Sequence, residues 1–192
     1  QAETRFTPDG MLRLYFQQAT TEVATMKKMT ETNLNSAYSG ESMANMRYTI
    51  YADVAESEGK PNTARLFRSI AFAERVHATN HYRILGSIND TTSNLQVAID
   101  GETYEVNEMY PAYRAVAELQ DEKGAQRSTD WALQTEKIHA AMYQRARKAV
   151  ETGKDIELKD MYICEVCGYT AEGQAPDKCP LCNAPKKRFR LF

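Results

Sequence analysis

The sequence predicts an all-α four-helix bundle followed by a small C-terminal β-ribbon metal module. Three observations predict it. Long segments with apolar residues three and four apart are separated by glycines, the pattern of packed amphipathic helices. Two of those segments repeat one motif, Arg-x8-Glu-x-x-His-Ala. All four cysteines fall between residues 164 and 182, in two Cys-x-x-Cys pairs eleven residues apart ("CEVCGYTAEGQAPDKCPLC").

The 192 residues suit one medium domain with a small appendage, and at 42% hydrophobic they can bury a sizeable core. A net charge of −2 gives no electrostatic case for nucleic acid or an anionic membrane as partner. No apolar run approaches the ~18 residues of a membrane span. Four cysteines in two tight pairs are a metal site in a reducing compartment rather than a disulfide framework. The chain begins at Gln1, so it is expected to be a processed form whose targeting peptide is gone. The cytoplasm or another reducing compartment, an organelle included, is the expected location.

Element by element, residues 1–30 form an extension with an amphipathic helix over 11–28, marked by Leu12, Phe16, Ala19, Val23 and Met26. The bundle occupies 31–153. Its first helix runs from about 30 to 58 and ends at Gly59; its second starts at Pro61 and continues to Gly86. Residues 87–103, rich in Asn, Asp, Ser, Thr and Gly, are expected to be a long connection. The third helix covers about 104–124 and the fourth about 126–152, stopping at Gly153. A linker (154–160) leads to the four-cysteine module (161–192). Four long helices with a long connection between the second and third predict a bundle with a crossover.

Glu-x-x-His puts both side chains on one face of a helix, where they can reach one metal. One copy is a weak signal. Two copies, Glu74–His77 and Glu136–His139, use two of the three histidines in the chain, and they fall on the second and fourth helices. The third histidine, His81, sits one turn after His77 and reads as solvated or supporting. The other two helices offer Glu41, flanked by Gly40 and Ser42, and the pair Glu105 and Glu108. Single glutamates of this kind are usually solvated helix surface; the joint pattern on four helices is not. One Glu from each of two helices with Glu-x-x-His from the other two is the known ligand pattern of bundle-held di-iron and di-manganese centres. Such a hard, oxygen-rich field suits those metals, whereas softer ones call for thiolates. Pro111 removes the backbone donor to residue 107, so a kink is expected beside Glu108.

These residues resemble the rubrerythrin family, a ferritin-like di-iron bundle fused to a rubredoxin-like module. "GESMANMRY", "AERVHA", "EVNEMYP", "TEKIHA", "ICEVCGY" and "CPLCNAPK" carry the resemblance, in the family's order, over about 32–192. The resemblance implies that Glu41, Glu74, Glu105, Glu108, Glu136 and His139 are di-iron ligands. It implies that His77 replaces Glu108 on reduction, and that Tyr48 and Tyr113 hydrogen-bond near the site. It implies NAD(P)H-linked reduction of hydrogen peroxide, with a rubredoxin or a reductase as electron donor. The chain looks most like archaeal-type members, some of which are homodimers that exchange helix pairs. Residues 1–30 have no counterpart.

The metal held by Cys164, Cys167, Cys179 and Cys182 is open on spacing alone, which favours zinc. The rubredoxin-type knuckles and the need of a di-iron site for one-electron supply favour a single iron. Two rival functions share parts of the pattern. An iron-storing ferroxidase would not need the four thiolates, and a zinc-ribbon adaptor would leave both Glu-x-x-His motifs unexplained.

Overall fold

The structure, a computed structural model, describes residues 26–192. The amphipathic helix expected over 11–28 lies, but for its last residues, outside the described residues. The chain divides after Ser87 into two units.

The first unit is a helical hairpin, α1 (Lys28–Ser57) and α2 (Pro61–Ile84), close to the expected limits. Gly59 takes a φ of +70° between them, a conformation glycine adopts without steric cost. Pro61 occupies the first turn of α2, where a missing N–H is harmless. The buried positions are alanines, Ala44, Ala52 and Ala55 on α1 and Ala64, Ala71 and Ala78 on α2. Side chains this small bring the backbones close enough for Asn45 Nδ2 to donate to the Ala71 carbonyl at 2.6 Å. Tyr38 stacks on Tyr82 with ring centres 4.8 Å apart. Met43, Met46, Ile50 and Val54, spaced three, four and four apart, form a stripe along α1 that stays exposed.

In the second unit, most of the expected connection is helical. α3 (Thr91–Tyr104) starts at residue 91, and the connection shrinks to 85–90. The polar run that suggested a loop is the helix cap. Asp90 accepts the Ser93 N–H at 2.8 Å, and this bond holds its carboxyl below the usual carboxylate range. Asn89 and Asn94 exchange bonds of 3.0 and 2.7 Å around it. Gly101 sits inside α3 despite a propensity cost of about 1 kcal/mol relative to alanine.

Glu105–Met109 then form a single π-helical turn, closed by the Tyr110 N–H bonding to the Glu105 carbonyl five residues back. α4 (Tyr110–Leu119) carries Pro111 in its first turn. The irregularity expected at Pro111 is therefore a widened turn just ahead of it. Asp121, in the left-handed region at φ 55°, reverses the chain into α5 (Lys123–Glu151), against which α3 and α4 pack.

The C-terminal module is a three-stranded antiparallel sheet, one strand more than a ribbon, in the order β2 (Thr170–Glu172), β1 (Met161–Cys164), β3 (Phe189–Leu191). Ile163 pairs with Thr170 on one side and with Arg190 on the other. Its core is Cys164, Cys179 and Ala184, packed by Tyr169, Leu181 and Phe189.

Candidate metal centres

Three clusters of metal-ligating side chains lie among the described residues, each with its ligand atoms within 4.8 Å of one another. The first unit brings together Glu41, Glu74 and His77. His77 Nδ1 lies 3.1 Å from Glu74 Oε2 and 4.0 Å from Glu41 Oε1. The three-residue spacing on α2 makes the first contact, and packing of α1 on α2 brings the second.

The second unit brings Glu136 and His139 together with Glu102, a residue that the sequence reading passed over. His139 Nδ1 lies 2.6 Å from Glu136 Oε2, repeating the arrangement at His77 and Glu74. Glu102 was obscured because residues 87–103 read as a loop. Its signal was present in "GETYE", where Glu102 and Glu105 stand three apart, as a helix face requires. Glu105 is half-buried and within electrostatic reach of Glu136, whereas Glu108 is exposed on the π turn, outside the cluster.

Three carboxyl groups compete here, Glu102 and Glu136 in the cluster and Glu105 within electrostatic reach of it. Burial first, then the hydrogen bond and charge of Glu136, push the Glu102 carboxyl up to about 8. Burial and the Glu136 charge also raise Glu105, with His139 opposing. Tyr110 is raised as well, by burial and then by Glu105, Glu136 and Glu102, so its phenol belongs to this site. Glu102 Oε2 is buried with no hydrogen-bond partner. An orphaned carboxylate oxygen among like charges lacks a cation, and a metal bound there relieves both defects.

The tyrosines named from the sequence, Tyr48 and Tyr113, both pack against other aromatic rings. Tyr48 packs with Tyr51 and Phe67, ring centres 6.3 and 6.2 Å away. Tyr113 is exposed, its ring edge-on to Tyr110 at 6.4 Å. His81 is half-buried near the end of α2.

The third cluster is Cys164, Cys167, Cys179 and Cys182, all unbridged. Cys164 and Cys182 sulfurs are 3.6 Å apart and those of Cys167 and Cys179 3.5 Å. A tetrahedron of ~2.3 Å metal–sulfur bonds needs about 3.8 Å, so little adjustment is required. Each knuckle closes alike. Gly168 N–H bonds the Cys164 carbonyl and Asn183 N–H bonds the Cys179 carbonyl, both at 2.9 Å, with Gly168 and Asn183 at positive φ (81° and 60°). Burial disfavours the Cys164 thiolate, yet the N–H groups of Val166 and Cys167 outweigh it and its pKa falls below the ordinary thiol value. Burial raises Cys167 instead. Thiolates held by backbone donors are what a tetrathiolate iron site uses.

The rubrerythrin family model matches residues 32–147, and the model for the rubrerythrin rubredoxin-like domain matches 162–190. The chain belongs to the rubrerythrin family. It is 42% identical to Rubrerythrin-2 of Clostridium acetobutylicum over 178 residues, covering 85% of this chain and 97% of that protein. It is 29% identical to nigerythrin of Nitratidesulfovibrio vulgaris over 174 residues, 83% and 85% of the two chains. Nigerythrin in its fully reduced, all-ferrous state aligns with a TM-score of 0.50 at 29% identity, over 92% of this chain and 96% of that one. Family membership gives the body its ferritin-like fold and makes the cofactors two irons in the helical bundle and one in the four-cysteine site. The residues present fit both.

The four-cysteine module contacts α5 of its own unit through β2. Arg145 Nη2 on α5 donates to Glu172 Oε2 at 2.5 Å, and the Lys159 N–H adds a 3.1 Å bond to the other oxygen. These contacts hold the Glu172 carboxyl below the usual range, the Arg145 bond first among them. Beside them His139 Nε2 meets Thr170 Oγ1 at 2.8 Å. None of the described helices is long and apolar enough to cross a membrane.

Proposed function

We propose that this protein reduces hydrogen peroxide to water, with electrons entering through the four-cysteine site. One observation carries the reading. A carboxylate–imidazole cluster and a tetrathiolate cluster meet through the 2.8 Å contact of His139 with Thr170. A storage ferroxidase has no use for that junction. When bound, two ferrous ions supply the two electrons that cleaving an O–O bond requires, and the tetrathiolate iron passes electrons singly.

The chain's own residues supply the rest. Glu41, Glu74 and His77 are one proposed group of ligands, and Glu105, Glu108, Glu136 and His139, with Glu102 added, are another. Reduction of one peroxide to two waters consumes two protons. The Tyr110 hydroxyl, within electrostatic reach of Glu105, Glu136 and Glu102, is the acid–base group at hand. Arg145 and Glu172 hold the module against α5.

The external donor is a rubredoxin or an NAD(P)H-dependent reductase. The working form is a homodimer, in which the exposed α1 stripe of Met43, Met46, Ile50 and Val54 is covered and helix hairpins are exchanged.

Glu136→Ala tests the assignment. It should reduce peroxide-dependent turnover to background while leaving the visible spectrum of the four-cysteine iron intact. Surviving turnover would refute the reading.

A further inference from the structure

The two Glu-x-x-His motifs are equivalent in sequence but not in surroundings. Among the described residues His77 bonds only through Nδ1, to Glu74 at 3.1 Å. His139 is held at both ring nitrogens, with Glu136 2.6 Å from Nδ1 and the Thr170 hydroxyl 2.8 Å from Nε2.

Thr170 is only 4% exposed, so that contact is shielded from water on the side of the hydroxyl. Its own proton is directed elsewhere, because Oγ1 donates to the Gly168 carbonyl at 3.2 Å and a carbonyl can only accept. What the hydroxyl then offers His139 is a lone pair. Nδ1 lies 2.6 Å from the Glu136 carboxylate, an acceptor, so without metal the ring hydrogen belongs between them; once a metal takes Nδ1, Nε2 carries the hydrogen and donates it to that lone pair. Nδ1 is the nitrogen that faces the Glu102–Glu136 cluster.

Resting on the reading that His139 is a bundle ligand, we infer that Thr170 is a positioning residue. With a metal on Nδ1, it accepts the Nε2–H and so holds His139 in that tautomer. The residue comes from the four-cysteine module, three positions after Cys167. Docking of that module therefore completes a ligand of the bundle, in addition to bringing the two sites together.

The full chain loaded with zinc(II), a diamagnetic probe, and labelled with 15N-histidine tests this by NMR, with only three histidines to resolve. In the native sequence, His139 Nδ1 should shift on zinc binding. Its Nε2–H should exchange slowly with water and show a through-space contact to the Thr170 methyl. Thr170→Val should speed that exchange and weaken zinc binding in the bundle about tenfold, the usual scale for losing such a supporting bond. Thr170→Ser should restore both. Cobalt–thiolate absorption reports that the module is intact. If Nδ1 does not respond to zinc, the ligand reading fails and the inference goes with it. If Nδ1 responds but Nε2–H is unprotected in the native protein, the Thr170 assignment alone is overturned. Unchanged zinc affinity in Thr170→Val overturns it equally. Should that variant fail to form the cobalt–thiolate site, proton exchange and the Thr170 contact in the native protein still decide.

Discussion

Glu102 is a carboxyl that becomes comfortable only when it holds a proton or a metal. Its folded value of about 8 lies above the ordinary 4.5, so between those pH values the folded metal-free protein binds more protons than the unfolded chain. Stability without metal should therefore fall as pH rises through that window. The loss should be about 1–2 kcal/mol once solvent screening is allowed for. Thermal melts of metal-free protein at pH 5 and pH 8 read this directly. Glu102→Gln should flatten the dependence and deplete the bundle of metal. Glu108→Gln, on an exposed position, should leave the metal-free pH dependence unchanged. A metal-free melting temperature that climbs from pH 5 to 8 would count decisively against a strained carboxyl cluster.

α3 depends on its cap, since Gly101 weakens its interior and its first turn has no acidic residue to favour the helix dipole. Asp90→Ala should open its first two turns, seen as faster amide hydrogen exchange over residues 91–97 with little change in α5. The same element shows why part of the molecule escaped the sequence. α1, α2 and α5 announce themselves through length, periodicity and glycine ends, and both Glu-x-x-His pairs follow because residue spacing fixes a helix face. The cysteine knuckles are legible for a similar reason: a tight turn needs a residue tolerant of positive φ after the second cysteine, and the chain supplies Gly168 and Asn183. The start of α3 is not legible, because Asn, Asp, Ser and Thr serve caps and loops equally well. Losing that start hid Glu102. Thr170 was invisible for a different reason: its contact with His139 spans 31 residues and belongs to tertiary packing.

At the scale of the whole molecule, the alanine-lined hairpin is too thin to cover its own apolar stripe. A second copy of the chain is the proposed cover, so light scattering should give twice the 21.8 kDa chain mass. A stable monomer would reject the exchanged-hairpin proposal. One further consequence comes from the contact of β2 with α5. Both metal clusters of the second unit sit on one continuous stretch of chain, joined by a linker of a few residues and clasped by Arg145 and Glu172. Short tethers of this kind correspond to effective concentrations on the order of millimolar. Under the proposed function, passage of charge from the cysteines to the carboxylate site thus becomes an event within one assembled protein rather than a meeting of two. Its rate constant, followed by stopped-flow after rapid reduction, should stay unchanged when the protein is diluted a hundredfold.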